Sequence, residues 1–449
     1  MTINIKRRSL LMSTLFGAGY IGLRSLATGI PAGILLGGRK ALADGAGSAC
    51  TNSKAQYFVM STSYLGDPLN ANVPGSYFDI ATGKTAAVSH PLDSGMTPTQ
   101  FAFGGNNVTA ALPWSQMASS VLSRTTFWHI MSNTPVHPAE PQVLSLLNAT
   151  QSNEMLPSII AKQMAPCLNT IQQQPITVGA TNPSEGLKFN GQALPIIPPL
   201  ALKSTLTNPS TGPLVGLSNL QSLRDNTLGQ LSDLYRGTAT TAQKAYLDSL
   251  ILSQSEIRNI NQDLLDMLSS ITDNSVASQT TAALALIKMN VTPVVCIHIP
   301  FGGDNHNDTA LAGESTQTQA GVASIQNLVQ EIDGYNMTNQ VTFMSLNVFG
   351  RQLGSTFTDG RGHNPLHQVS VTVGTQFKSM VVGGIQSISS DFGCASIDPS
   401  SGAALKTGGI STTDTLTSFG KTILASVGVD TTTINTLVNG GQVITGALA

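Results

Sequence analysis

The stretch Asn347-Val348-Phe349-Gly350-Arg351 is followed closely by Gly360-Arg361-Gly362-His363-Asn364-Pro365, and the pair lies directly after the apolar run 341–346. A second polar cluster, Gly302-Gly303-Asp304-Asn305-His306-Asn307-Asp308, lies directly after the similar run 294–299. Open α/β sheets usually hold their chemistry in side chains at the ends of buried strands. The two clusters therefore predict an α/β fold with a metal or phosphoryl site at the strand ends.

The rest of the chain alternates between strand and helix patterns. Strands are predicted at residues 56–63, 125–131, 294–299, 341–346, 368–373 and 379–382. Helices are predicted at residues 141–147, 155–164, 241–271, 278–289, 315–332 and 413–427. Prolines and glycines break every periodic pattern between residues 175 and 213, which predicts a loop or surface insertion there. The alternation predicts one α/β domain over residues 44–449, with a mostly parallel sheet covered by helices on both faces and a helical or loop insertion at about 150–290.

Composition excludes several classes of partner. Hydrophobic residues make up 41% of the 449 residues and charged residues only 10%, which is a globular composition. A formal net charge of -2 gives no electrostatic reason to expect nucleic acid or an anionic membrane as a partner. Only two Trp are present, so a sugar-stacking surface is not favoured.

The N-terminus resembles an export signal. Lys6-Arg7-Arg8-Ser9-Leu10-Leu11 has the paired arginines and following leucines of a twin-arginine signal. An interrupted apolar region follows, and Ala41-Leu42-Ala43 offers the small residues of a cleavage site. We expect removal of residues 1–43, no membrane span thereafter, and a periplasmic or extracellular bacterial protein. A retained anchor or a lipid-modified Cys50 remains open.

Four cysteines fit the oxidising side of a membrane, where one or two disulfides could form. They lack metal-ligand spacing, and the pairing among Cys50, Cys167 and Cys394 stays open. Cys296 and His298 lie within a predicted strand, so both are predicted to be structural.

The candidate metal ligands are aspartates and histidines beside glycine-rich turns. His306 follows Asp304 by two residues, a spacing at which both side chains can converge on one divalent ion. His363 lies in a second such turn, Asp67 ends the first strand, and His137 follows the second. These residue types also favour ordinary turns, so a purely structural role is the alternative.

Several segments match the motifs of one known family in the right order. Residues 66–74 resemble an opening Gly-Asp-Gly-Leu-Asn…Pro element, and His137 falls at the position of a Ser-His pair. Residues 303–306 resemble an Asp-Thr-His motif, and residues 347–351 resemble Glu-Phe-Gly-Arg. Residues 360–365 resemble Gly-Arg-Asp-His-x-Pro, and residues 415–430 resemble a closing helix that ends in Leu-Gly-Ile-Asp. In these segments the chain resembles the exported "domain of unknown function 1501" family of the alkaline phosphatase and sulfatase superfamily. The match covers nearly the whole mature chain except the middle, residues 150–290.

The resemblance implies an alkaline-phosphatase-like α/β sandwich with metal ligands at the strand ends. Asp67, Asp304, His306 and His363 carry over as metal ligands, with His137 as a further one. Aspartate together with imidazole suits zinc or manganese. Such a site would activate a nucleophile for displacement at a phosphate or sulfate ester.

Three positions depart from the family pattern. Asn347 stands where the family has Glu, Gly362 where it has Asp, and Val136 where it has Ser. Thr134 is the candidate replacement nucleophile, with Ser132 as the alternative. Neither the amide nor the glycine replaces the lost anionic ligand.

Two functions therefore remain as hypotheses. One is a metal-dependent hydrolase of small phosphate or sulfate esters with a partly degenerate site. The other is a non-catalytic binding or envelope-structural protein on the same fold. A carbohydrate- or peptide-binding protein on a different fold is a third, and the sequence leaves the substrate and oligomeric state open.

Overall fold

The computed structural model describes residues 54–66, 69–151, 154–170, 172–179, 187–206, 262–299, 301 and 303–449, together with a few positions between 227 and 244. The predicted export signal, Asp67 and most of the predicted helix 241–271 lie outside the described residues.

A seven-stranded sheet forms the centre of the fold. Its strands are β1 Tyr57–Ser63, β2 Thr125–Ile130, β3 Ile176–Thr177, β4 Val294–Ile297, β5 Val341–Asn347, β6 Gln368–Val373 and β7 Met380–Val382. The strand order is β7-β2-β6-β5-β1-β4-β3. Every adjacent pair is parallel except the two that involve β6, which runs opposite to β5 and β2. The predicted mixed α/β fold with a mostly parallel sheet is confirmed.

Alternation along the strands gives the sheet two apolar faces. Val59 of β1 lies in one buried cluster, together with Val295 and Phe343 from the strands on either side. Met60 points to the other cluster, together with Cys296 and Met344. Because both faces are apolar, each must be covered by other elements.

Helices supply that cover. The longer helices are α1 Leu156–Leu168, α2 Pro199–Leu206, α3 Gln262–Ser270, α4 Val276–Lys288, α5 Ala312–Gly334 and α6 Thr415–Ser426. Buried residues of α3, α4 and α5 share the cluster of Val59, and those of α1 and α6 share the cluster of Met60. Ser275 caps α4 by accepting a hydrogen bond from the Ser278 amide. The predicted helical cover of both faces is therefore confirmed.

Shorter elements complete the structure. Short α-helices are Leu69–Asn72, Leu112–Ser115, Ser119–Leu122, Glu140–Leu144 and Thr431–Leu437, and 3-10 turns are Ser94–Met96, His137–Ala139, Thr309–Leu311, Thr412–Asp414 and Thr445–Ala447. A four-stranded sheet contains Asp391–Cys394, Ile385–Ile388, Phe78–Asp79 and Lys84–Thr85. Two-stranded pairs are Pro98–Phe103 with Asn106–Ala111, Lys188–Phe189 with Gln192–Ala193, Gly350–Arg351 with His363–Asn364, and Ser396–Ile397 with Ala404–Leu405.

The prediction of irregular structure over residues 175–213 was wrong in part. The edge strand β3 and helix α2 both lie in this region. Strand β3 is only two residues long, and its backbone is held by parallel pairing with Val295 and Cys296 of β4. Pairing with β4 therefore stabilises β3 as a strand, although the local sequence does not predict one.

The three described cysteines divide into one that is disulfide-bonded and two that are buried free thiols. Cys167 is disulfide-bonded, whereas Cys296 and Cys394 are buried free thiols. Burial raises the pKa of Cys394 to about 12 and that of Cys296 still further. The predicted structural role of Cys296 is confirmed. Within the described residues, no helix combines the length and the apolar character needed to cross a membrane.

Candidate metal centre

Loops that follow three central strands bring four of the five predicted ligands together. His137 begins the 3-10 turn after β2, Asp304 and His306 lie in the loop after β4, and His363 lies in the short strand pair after β5. Strands β2, β4 and β5 run in the same direction, so their carboxyl ends meet at one edge of the sheet. The predicted strand-end cluster is therefore present.

The cluster centres on one carboxylate oxygen. Asp304 Oδ1 lies 3.1 Å from His306 Nε2, 3.8 Å from His137 Nε2 and 3.9 Å from His363 Nε2. Ligand atoms of His137, Asp304 and His363 all lie within 4.8 Å of one another. His306 Nε2 lies 2.9 Å from His363 Nε2. The side chains of His137, Asp304 and His363 could therefore hold one metal ion.

These separations fit a divalent ion. Zinc–ligand bonds of about 2.0–2.1 Å in tetrahedral geometry place neighbouring ligand atoms about 3.3 Å apart. The separations from Asp304 Oδ1 to the three histidine Nε2 atoms run from 3.1 to 3.9 Å, which is close to this spacing.

Backbone carbonyls fix the tautomers of two histidines. His137 Nδ1 lies 2.7 Å from Tyr64 O, and His363 Nδ1 contacts Pro135 O. A carbonyl oxygen can only accept, so each Nδ1 carries the proton and each Nε2 presents its lone pair. Metal-binding histidines are oriented in the same way by a hydrogen bond from the second ring nitrogen.

The electrostatic surroundings favour neutral imidazole at His363. Burial lowers the pKa of His363, and the Arg351, His137 and His306 charges lower it further, against the opposing hydrogen bond to Pro135 O. The unprotonated ring is the form that binds metal.

Arg351 fastens the ligand loops to one another. Its side chain is completely buried, and Nη2 donates to Leu65 O at 2.6 Å and Gly303 O at 2.7 Å. Nη1 lies 3.6 Å from Asp304 Oδ1. Asn70 binds the Arg351 main chain in turn, donating to its carbonyl at 2.7 Å and accepting from its amide at 3.1 Å. The loops after β1, β4 and β5 are thus joined beside the carboxylate.

Phe349 forms an apolar wall of the site. Its ring stacks on His363 with centroids 4.2 Å apart and meets His137 edge-on at 5.0 Å. Gly66 packs closely against this ring, since a Cβ there would lie 2.5 Å from Phe349, and its φ of +72° also favours glycine.

A buried ion pair anchors the loop that carries His363. Arg361 Nε donates to Glu314 Oε2 at 2.6 Å, and both side chains are fully buried. Arg361 also donates to the hydroxyl and the carbonyl of Ser89, and its main-chain amide donates to Asn305 O at 2.8 Å. Glu314 lies in the first turn of α5, so the loop is tied to that helix.

The structure leaves two predicted roles without geometric support. Asp67, a predicted ligand, lies outside the described residues. Thr134, the predicted nucleophile, is buried, and its Oγ1 accepts a 3.4 Å hydrogen bond from the Val136 amide. Ser132, the alternative, is also buried. No described contact joins either hydroxyl to the cluster.

Two of the three positions that depart from the resembled motifs, Asn347 and Gly362, have other surroundings in the structure. Asn347 is buried at the end of β5. The Gly362 amide donates a hydrogen bond to Gln352 Oε1 at 3.1 Å, and a Cβ at Gly362 would lie 2.3 Å from that oxygen. Gln352 thus occupies the space that an aspartate at Gly362 would enter.

A second histidine pair was missed by sequence reasoning. His129 Nδ1 lies 2.8 Å from His367 Nε2, and His129 Nε2 donates to Pro74 O at 2.9 Å. His367 Nδ1 lies 3.3 Å from the Asn70 amide nitrogen, which links the pair to Arg351. Burial lowers the pKa of His129 to about 4 and places that of His367 well below its usual value. No spacing pattern marks these residues in the sequence.

His298, which was predicted to be structural, lies directly after β4 rather than within it. It is buried, and its Nδ1 lies 3.0 Å from Thr62 O of β1.

The chain matches no protein-family model, and a comparison with curated proteins finds no match. The family resemblance therefore stays a prediction, and the functional argument depends on the geometry of the site.

Proposed function

We propose that this protein is an exported, metal-dependent hydrolase of phosphate or sulfate esters on an alkaline-phosphatase-like fold. One observation carries the proposal. Two histidines, His137 and His363, have their Nδ1 protons held by backbone carbonyls and turn their Nε2 atoms toward Asp304 within metal-binding distance.

The ligand set favours zinc or manganese. Two neutral imidazoles and one carboxylate suit these ions better than calcium, which takes oxygen ligands. A bound ion of this kind would polarise an ester oxygen and lower the pKa of a water molecule.

The chain's own residues would orient the reaction. The anchored rings of His137 and His363 fix the direction of their lone pairs, and the Arg351 contacts fix the loop that carries Asp304. Asp304 supplies one negative charge and Arg351 one positive charge at 3.6 Å. With a divalent cation the centre is net positive, which favours an anionic ester as the substrate.

A second candidate is metal-dependent binding of an anion without turnover. The observation that favours it is Gln352, whose side chain occupies the space beside Gly362 where the resembled family has a carboxylate. A site that lacks this carboxylate and the one replaced by Asn347 has less negative charge to retain a second cation.

The test is metal analysis of the purified mature protein, with assays on aryl phosphates and aryl sulfates. We expect about one bound zinc or manganese per chain, and loss of metal and turnover in Asp304→Asn. Asp359→Asn is the matched control, because this side chain accepts the Ala310 amide at 3.0 Å. Bound metal and anion without turnover would favour the second candidate. Absence of both metal and turnover after reconstitution would refute the proposal.

A further inference from the structure

The three histidines of the cluster are not held alike. His137 and His363 each donate Nδ1–H to a backbone carbonyl, and their side chains are 23% and 18% exposed. His306 is 45% exposed, and none of the described residues hydrogen-bonds to its Nδ1. Two rings are therefore anchored through Nδ1, whereas the His306 ring is held only through the contacts of its Nε2.

The unanchored ring nevertheless reaches the centre of the cluster. His306 Nε2 lies 3.1 Å from Asp304 Oδ1 and 2.9 Å from His363 Nε2. Both separations are close to the roughly 3.3 Å expected between ligand atoms of one tetrahedral zinc ion. His306 Nε2 therefore lies beside two of the three ligand atoms in the group of His137, Asp304 and His363.

The backbone that carries His306 is fixed, which confines any movement to the side chain. The adjacent Asn305 carbonyl accepts the Arg361 amide at 2.8 Å. The His306 carbonyl packs so closely on Gly360 that a Cβ there would lie 2.1 Å from its oxygen. Rotation of the ring therefore requires no change in the loop.

We infer that His306 is a displaceable fourth ligand that closes the metal site and opens it by rotating into solvent. This inference rests on the proposed metal site. Four protein ligands make a closed centre, whereas three leave a position for water or substrate. When His306 leaves, an incoming water or anion donates its lone pair in place of Nε2, and no electron or proton transfer is needed. The unliganded His306 ring then lies beside the open position.

Cobalt(II) tests the inference because its visible absorption reports the ligand number and requires no turnover. The protein is loaded with cobalt and titrated with azide as the probe anion. We expect His306→Ala to keep cobalt and to bind azide at a concentration roughly tenfold lower than the wild type, since its fourth position is already open. Added imidazole should restore the wild-type spectrum. His137→Ala removes an anchored ligand and should weaken cobalt binding itself by roughly tenfold or more.

The experiment distinguishes a failure of the inference about His306 from a failure of the proposed metal site. Cobalt-loaded wild type and His306→Ala with equal azide affinities would overturn the inference and leave the proposed metal site standing. The inference is also overturned if His306→Ala loses cobalt as fully as His137→Ala, because His306 is then a permanent ligand. Failure of the folded wild type to bind cobalt or zinc would overturn the proposed function, and the inference with it. Circular dichroism of each variant confirms that the fold is retained.

Discussion

Acidification should destabilise the protein through the buried His129–His367 pair. Burial lowers the pKa of His129 to about 4, from the ordinary 6.5. Between pH 4 and 6.5, the unfolded chain therefore binds more protons at His129 than the folded chain does. The contribution of His129 to stability is thus largest above pH 6.5 and falls as the pH drops toward 4. Linkage between these two pKa values gives a loss of about 2 kcal/mol from His129 at about pH 5. His367, whose pKa is also lowered, adds to this loss.

Urea unfolding at about pH 7.5 and about pH 5, with EDTA to exclude metal, measures the effect. The wild type should lose about 2 kcal/mol more on acidification than His129→Gln, because the variant no longer carries this buried ring. Ser370→Ala is the control, since Ser370 is a buried, non-titrating neighbour that pairs with Trp128 in the same strand pair. It should lose as much as the wild type. Equal acid losses in the wild type and His129→Gln would refute the reasoning.

Two further predictions concern the supports of the site. Arg361→Met leaves the fully buried Glu314 without its ion-pair partner and should cost about 3–5 kcal/mol in urea unfolding; a loss under about 1 kcal/mol would contradict this role. Gly66→Ala should lower the free energy of unfolding by about 1–3 kcal/mol, because alanine is strained at this backbone conformation. The clash of the new Cβ with the Phe349 ring should add to this loss. Urea unfolding and zinc titration measure the effect. Gly83→Ala is the matched control, with a φ of +70° and open space around it, so an equal cost for both glycines would argue against the contact.

Hydrophobic patterning predicted most of the central sheet. The strand predicted at residues 56–63 is β1 Tyr57–Ser63, and that predicted at 368–373 is β6 Gln368–Val373. These runs are long enough, and buried enough on both faces, for the pattern to show in the sequence. The direction of β6 could not be predicted, because an antiparallel strand buried on both faces has the same composition as a parallel one.

The candidate site was predictable where its ligands lie next to strand ends. Asp304 and His363 follow strands that the pattern identifies, and the structure brings both to the same sheet edge as His137. The supporting contacts were not predictable. Arg351 reaches Leu65 O and Gly303 O across long stretches of sequence, and only the fold brings them together. His129 and His367 likewise meet only through the pairing of β2 with β6.

Strand β6, which runs antiparallel to both of its neighbours in the described central sheet, has a consequence for how the site can evolve. Because β6 returns beside β5, the segment from Val348 to His367 leaves and re-enters the sheet at the same edge. Doubling the length of such a loop costs only about 0.6 kcal/mol in closure entropy and leaves the strand register unchanged. Insertions or deletions here would alter the surroundings of the ligands and spare the sheet. New specificities could therefore arise in this lineage without a redesign of its core.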